Sequence, residues 1–137
     1  MPKLFKGNMH TDLRGSLYYN NSFDAGDIKR VYIIENIDTD TERGWQGHKI
    51  EQRWFSAIKG TFIIKLIKID NWDCPSVGLE FQEKLIESKQ FDILHVPSGY
   101  VSSIKSIEKD SRLLVMADYY LGEIEDEYRF DLGFFDH

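Results

Sequence analysis

The run His48–Ile69, HKIEQRWFSAIKGTFIIKLIKI, consists of two strand-length apolar segments that meet at Lys59-Gly60. The first segment alternates in character and the second is dense in isoleucine, both as β-strands require. A glycine at the junction suits a tight hairpin turn. The middle of the chain is therefore expected to be an antiparallel pair. Outward from it, IKRVYIIENI (Ile28–Ile37), FDILHVP (Phe91–Pro97), YVSSIKSI (Tyr100–Ile107) and SRLLVMADYY (Ser111–Tyr120) repeat the pattern. Many short strands at fairly even spacing predict an all-β sandwich or barrel. Pro97 ends one strand and Gly99 supplies the turn in VPSG. NWDCPSVGLE (Asn71–Glu80) reads as a loop. EIEDEYRFDLGFF (Glu123–Phe135) is expected to form a short helical or irregular tail.

The 137 residues, 42% hydrophobic and 29% charged, suit one folded domain spanning 1–137. A formal net charge of −6 argues against nucleic acid as the partner, since phosphate backbones require a basic surface. An anionic small molecule is compatible, because a pocket can be locally basic. The single cysteine, Cys74, supports neither an intrachain disulfide nor a cysteine-based zinc site. No stretch reaches the roughly 18 apolar residues of a membrane span. The N-terminal residues lack the apolar core of a signal peptide, so a cytoplasmic location is expected.

The chemistry-bearing stretch is RGWQGHK, Arg43–Lys49. Gln46 and His48 lie two apart and share a strand face. Continued along one strand, that phase turns Gln52 and Trp54 inward with His48, and Lys49, Glu51 and Arg53 outward. His48 is the group that titrates near neutral pH, whereas Gln46 can hydrogen-bond but cannot carry a proton. Tyr32 offers a hydroxyl donor. The planar fork of Arg43 suits phosphate or carbonyl oxygens, and Arg30, Lys29 and Lys65 could add positive charge. Trp54, Trp45 and Phe62 suit either stacking or core packing. His95 is a second candidate proton carrier, while His10 and His137 lie near the termini.

The order of these elements resembles the cupin superfamily, with Pro97-Ser98-Gly99 as the P-x-G of its second motif. The chain is more specifically similar to the sugar-nucleotide cupins. These are the WxcM-like dTDP-4-keto-6-deoxyglucose 3,4-ketoisomerases and the related dTDP-4-dehydrorhamnose 3,5-epimerases. DLRGSL (Asp12–Leu17), IKRVYII (Ile28–Ile34), RGWQGHK, LLVMADYY and EYRFD carry the resemblance, with Gln46 standing where the ketoisomerase motif has its first histidine. It implies a jelly-roll fold, a nucleotide-sugar substrate and a homodimer, with N-terminal strands exchanged between subunits. Carrying over the cupin metal ligands gives Gln46, His48, Gln52 and Ser102. Only one of these is a good transition-metal ligand, so no metal and no cofactor are expected.

By the same resemblance, His48 would be the base and Tyr32 the donor or acid. Arg43, Gln46, Gln52, Arg30, Trp54 and Ser102 would hold the substrate. The implied function is a metal-independent isomerase or epimerase of a nucleotide-linked 4-keto-6-deoxy sugar, in surface-polysaccharide precursor synthesis. The alternative is a catalytically reduced cupin that binds a nucleotide sugar or regulates a partner enzyme.

Overall fold

The structure, a computed structural model, describes residues 1–136. The expectation for His137 therefore lies outside the described residues. The strands are β1 (Lys3–Phe5), β2 (Asn8–Asp12), β3 (Gly15–Tyr19), β4 (Arg30–Glu35), β5 (Glu42–His48), β6 (Arg53–Lys59), β7 (Thr61–Lys68), β8 (Gln82–Glu87), β9 (Ile93–Val96), β10 (Tyr100–Ser106), β11 (Arg112–Ala117) and β12 (Tyr128–Arg129). They form two five-stranded sheets, ordered β1-β9-β6-β11-β4 and β12-β5-β10-β7-β8, and a separate β2–β3 hairpin. Every pairing is antiparallel.

The two sheets face each other as a cupin-type sandwich. Alternation along each strand directs one set of side chains between them. Phe62, Ile64 and Leu66 of β7 meet Phe55 and Ala57 of β6 and Leu113 and Val115 of β11 in the central core. Each such burial stabilises the fold by roughly 1.5–3 kcal/mol. The outer faces carry smaller cores. Trp45, Ile67 and Val101 pack under Phe130, Phe134 and Phe135 of the C-terminal tail. Trp54, Ile93 and Met116 pack under Phe5 and Phe23 of the N-terminal segment. Where an outward face is covered in this way, an alternating pattern is replaced by a continuous apolar run, as in TFIIKLIKI.

Lys59-Gly60 makes the turn between β6 and β7, but the expected antiparallel pair does not form: β6 pairs with β9 and β11 in one sheet and β7 with β10 and β8 in the other. Gly99 takes φ +93°, the left-handed backbone that the VPSG turn requires. Gly47 serves close approach instead: a Cβ there would lie 2.5 Å from the Tyr100 carbonyl oxygen. β2, β3 and β8 are strands that the hydrophobic pattern did not predict, because their side chains are largely exposed. The tail holds the short β12 and turns; no helix occurs among the described residues. Among the described residues no helix is long and apolar enough to cross a membrane.

Candidate functional site

The stretch read as one strand, His48–Ile58, is two strands in two sheets. β5 ends at His48 and β6 begins at Arg53. Residues 49–52 turn the corner around the carboxylate of buried Asp126. That carboxylate accepts the backbone N–H groups of Lys49 at 3.0 Å, Ile50 at 2.9 Å and Glu51 at 2.8 Å. Three donors converging on one anion form a cradle that holds the corner.

The corner resets the phase. His48 points into the space between the sheets from one side and Arg53 from the other. Glu51 and Arg53, expected outside, are buried in the site. Gln52 and Trp54, expected inside, are on the opposite face. The Gln52 N–H donates to Asp118 Oδ1 at 2.8 Å, and its side-chain oxygen accepts from His95 Nε2 at 2.6 Å. The Trp54 ring stacks on His95 with centroids 4.9 Å apart. None of the three lines the cavity between the sheets, so their expected substrate or proton-carrying roles there are corrected.

That cavity has a volume of about 1270 Å³. Tyr32, Arg30, Arg43, Gln46, His48 and Ser102 line it as expected, joined by Glu51, Arg53 and residues of the acidic segment after β11. At its floor His48 Nδ1 lies 3.0 Å from the Asp126 carbonyl oxygen. A carbonyl only accepts, so Nδ1 carries the hydrogen and Nε2 the lone pair. Arg53 Nη2 donates to that Nε2 at 2.9 Å. Burial, together with the neighbouring Arg53 guanidinium, pushes the His48 pKa down to about 4. A group titrating near neutral pH is therefore not what the fold makes of His48. It is a neutral imidazole whose free lone pair already has a donor.

Arg53 ties the floor together. Its Nη1 donates to Tyr32 Oη at 3.0 Å and its Nη2 to Glu51 Oε2 at 2.7 Å. Its Nε is buried without a partner among the described residues. Because Tyr32 Oη accepts from Arg53, the hydroxyl hydrogen of Tyr32 remains available to donate. The Arg30 guanidinium lies 4.6 Å from the centre of the Tyr32 ring. Burial raises the Glu51 pKa, opposed by Arg53 and helped by Asp118.

Farther along β5, Gln46 Nε2 donates to Glu127 Oε1 at 2.8 Å, and Arg129 Nε donates to the same oxygen at 2.9 Å. Ser102 stands across the ladder from Gln46. Arg43 Nε donates to Asn36 Oδ1 at 2.7 Å. Neither Arg30 nor Arg43 forms an ion pair among the described residues, which leaves both free for an anion. Lys29 and Lys65 do not line the cavity; they lie over the rings of Tyr120 and Phe81. Trp45 packs edge-on against Phe135 and donates to the Leu132 carbonyl, while Phe62 is in the central core.

The cupin ligand positions do not fit a metal here. Gln52 faces away, Gln46 is engaged with Glu127, and both His48 nitrogens are committed. Among the described residues no three histidine, cysteine, aspartate or glutamate side chains cluster as a metal site would.

Two antiparallel sheets closed over a polar, arginine-bearing cavity define a cupin-type fold. The family model described as WxcM-like, C-terminal (FdtA) matches residues 2–136, and the chain belongs to that family. A search of curated proteins finds no match. Among solved structures it is similar to a 3,4-ketoisomerase from Helicobacter canadensis, at 20% identity and TM-score 0.74 over 98% of this chain and 94% of that one. It is also similar to a variant of the 3,4-ketoisomerase QdtA from Thermoanaerobacterium thermosaccharolyticum, in complex with TDP-4-keto-6-deoxyglucose. There the identity is 24% and the TM-score 0.73, over 98% of this chain and 91% of that one. The rmlC epimerase of Mycobacterium tuberculosis shares the fold at 13% identity and TM-score 0.76, over 96% and 70% of the two chains.

Proposed function

We propose that this protein is a metal-independent isomerase or epimerase of a nucleotide-linked 4-keto-6-deoxy sugar, supplying precursors for surface polysaccharide. The observation that carries the reading is the Tyr32–Arg53–His48–Glu51 group at the floor of the cavity, in a chain of the WxcM-like family. A carbon beside a ketone loses its proton when a base takes it and donors hold the enolate oxygen. Tyr32 has a hydroxyl hydrogen to give, and Arg53 supplies fixed positive charge in a buried site. Arg30 and Arg43, free of carboxylate partners, suit the diphosphate, and Gln46 and Ser102 suit sugar hydroxyls. The QdtA variant holds a TDP-linked keto sugar, which makes the thymidine nucleotide the first one to try.

A specific observation favours a second reading. Gln46 cannot carry a proton, and the His48 lone pair is occupied by Arg53, as in a site that binds without turning over. The two readings part in D2O. With dTDP-4-keto-6-deoxyglucose, the enzyme washes deuterium into the carbons flanking the ketone, followed by NMR. A binding module takes up the nucleotide sugar with no exchange, and that result refutes the enzymatic reading.

The protein is further proposed to be a cytoplasmic homodimer. Met9, Leu13, Leu17 and Tyr18 of the β2–β3 hairpin are exposed, and the hairpin joins neither sheet. Those apolar side chains suit a second copy of the chain.

A further inference from the structure

The motif has one imidazole, and that imidazole is locked. Any proton transfer at this floor therefore needs another carrier. Four ionisable or hydroxyl groups meet at Arg53: His48, Glu51, Tyr32 and Arg53 itself. Of the two His48 nitrogens, one gives its hydrogen to the Asp126 carbonyl and the other accepts from Arg53. Tyr32 Oη accepts from Arg53, which favours it as a donor. Glu51 differs from both. Its Oε2 accepts from Arg53 at 2.7 Å and lies 3.2 Å from His48 Nδ1. Its Oε1 accepts no hydrogen bond among the described residues. The residue is 7% exposed and lines the cavity.

We infer that Glu51 is the group that carries the carbon-bound proton in this site, taking over the role that the replacement of a histidine by Gln46 leaves open. This rests on the sugar-nucleotide reading proposed above. The Glu51 carboxylate takes the proton from the carbon beside the ketone. The C–H electron pair forms a carbon–carbon double bond, and the ketone oxygen becomes an enolate facing Tyr32 and Arg53. Glu51 returns the proton to carbon. In a ketoisomerisation the proton returns to the former carbonyl carbon, while the hydroxyl proton passes between the two oxygens through Tyr32, and no proton or electron is left over. Glu51 alone does not complete an epimerisation, because inversion requires the new hydrogen to arrive on the opposite face of the enolate.

The surroundings suit a carboxylate that must accept and release a proton. Facing it are Arg53 from β6, Arg30 and Tyr32 from β4, His48 from β5, Asp126 from the acidic segment and Asp118 after β11. Burial and Asp118 make the carboxylate more basic than an exposed glutamate, while Arg53 and Arg30 oppose that shift.

The test is deuterium exchange into dTDP-4-keto-6-deoxyglucose in D2O, run beside thermal melting and dTDP binding. Glu51→Gln is expected to lose exchange by about 10²-fold or more while still binding dTDP. Glu51→Ala, if folded by its melting curve, is expected to regain exchange with added formate. A merely structural glutamate would show no such rescue. The acid limb of the wild-type pH–rate profile is expected to belong to Glu51 and to vanish in the rescued variant. If Glu51→Gln exchanges at the wild-type rate, the inference is overturned and the sugar-nucleotide reading stands. The inference is overturned equally if the Glu51 variants are folded, slow and unresponsive to formate. If the wild type itself exchanges nothing, the reading falls and takes the inference with it.

Discussion

Burial and Arg53 together hold His48 in its neutral form, and the size of the Arg53 share is open to measurement. Removing Arg53 alone would strand the Glu51 carboxylate, at a cost of about 3–5 kcal/mol for a broken buried pair. The cleaner comparison is Glu51→Gln against Glu51→Gln/Arg53→Met. The His48 pKa lies at about 4 against a reference of 6.5. That displacement is about 2.5 pH units, or roughly 3.4 kcal/mol at 1.36 kcal/mol per unit. Burial is its largest cause and Arg53 the second. Two unit charges about 4 Å apart repel by about 4 kcal/mol at an effective dielectric of about 20, an upper limit for this pair beside an open cavity. The expected Arg53 share is about one pH unit, smaller than that of burial. The double variant should titrate His48 about one unit higher than Glu51→Gln, read from the ring C–H resonances and assigned with His48→Asn.

The linkage has a definite sign. The folded His48 resists protonation, so its contribution is fully present above pH 6.5. It is lost as pH falls toward 4, because the unfolded chain binds the proton first. Removing Arg53 should flatten that loss by about 1.4 kcal/mol in urea unfolding. A His48 midpoint that stays put or falls on losing Arg53 would refute this account of the floor.

Two further outcomes follow from the same geometry. Asp126→Ala removes the acceptor of three backbone N–H groups at the β5–β6 corner and should cost about 2–4 kcal/mol in urea unfolding; a change within 0.5 kcal/mol, on the scale of about 1 kcal/mol per net hydrogen bond, would show that the corner holds without it. In light scattering the protein should have twice the mass of its chain at micromolar concentration, and a clean monomer would remove the proposed homodimer.

The strands that build the core were legible because their side chains obey the period of two: Phe62, Ile64 and Leu66 on β7, or Tyr100 and Ile104 on β10. β2 and β3 were not, since a hairpin with little buried surface leaves no hydrophobic pattern. Arg30 and Tyr32 of β4, Gln46 and His48 of β5 and Ser102 of β10 lie where alternation along their strands puts them, whereas Arg43, of opposite parity to Gln46 and His48, reaches the cavity past a register shift between β5 and β10. Glu51 and Arg53 were missed because one strand was carried through residues 49–52. A hint was present in the run itself: an E-Q-R triplet in the middle of an apolar strand is costly to bury unless it is at a corner or paired.

Residue type and local period are enough to give the β-rich class, the family motif and the single imidazole on β5. The state of that imidazole is set by contacts made across the fold. Asp126, 78 residues along the chain from His48, folds back to turn the β5–β6 corner. That turn moves the strand into the other sheet, brings Arg53 onto the histidine lone pair and Glu51 into the cavity. No local pattern contains that outcome, because it is made by an anion from one end of the chain satisfying three backbone donors in the middle of it.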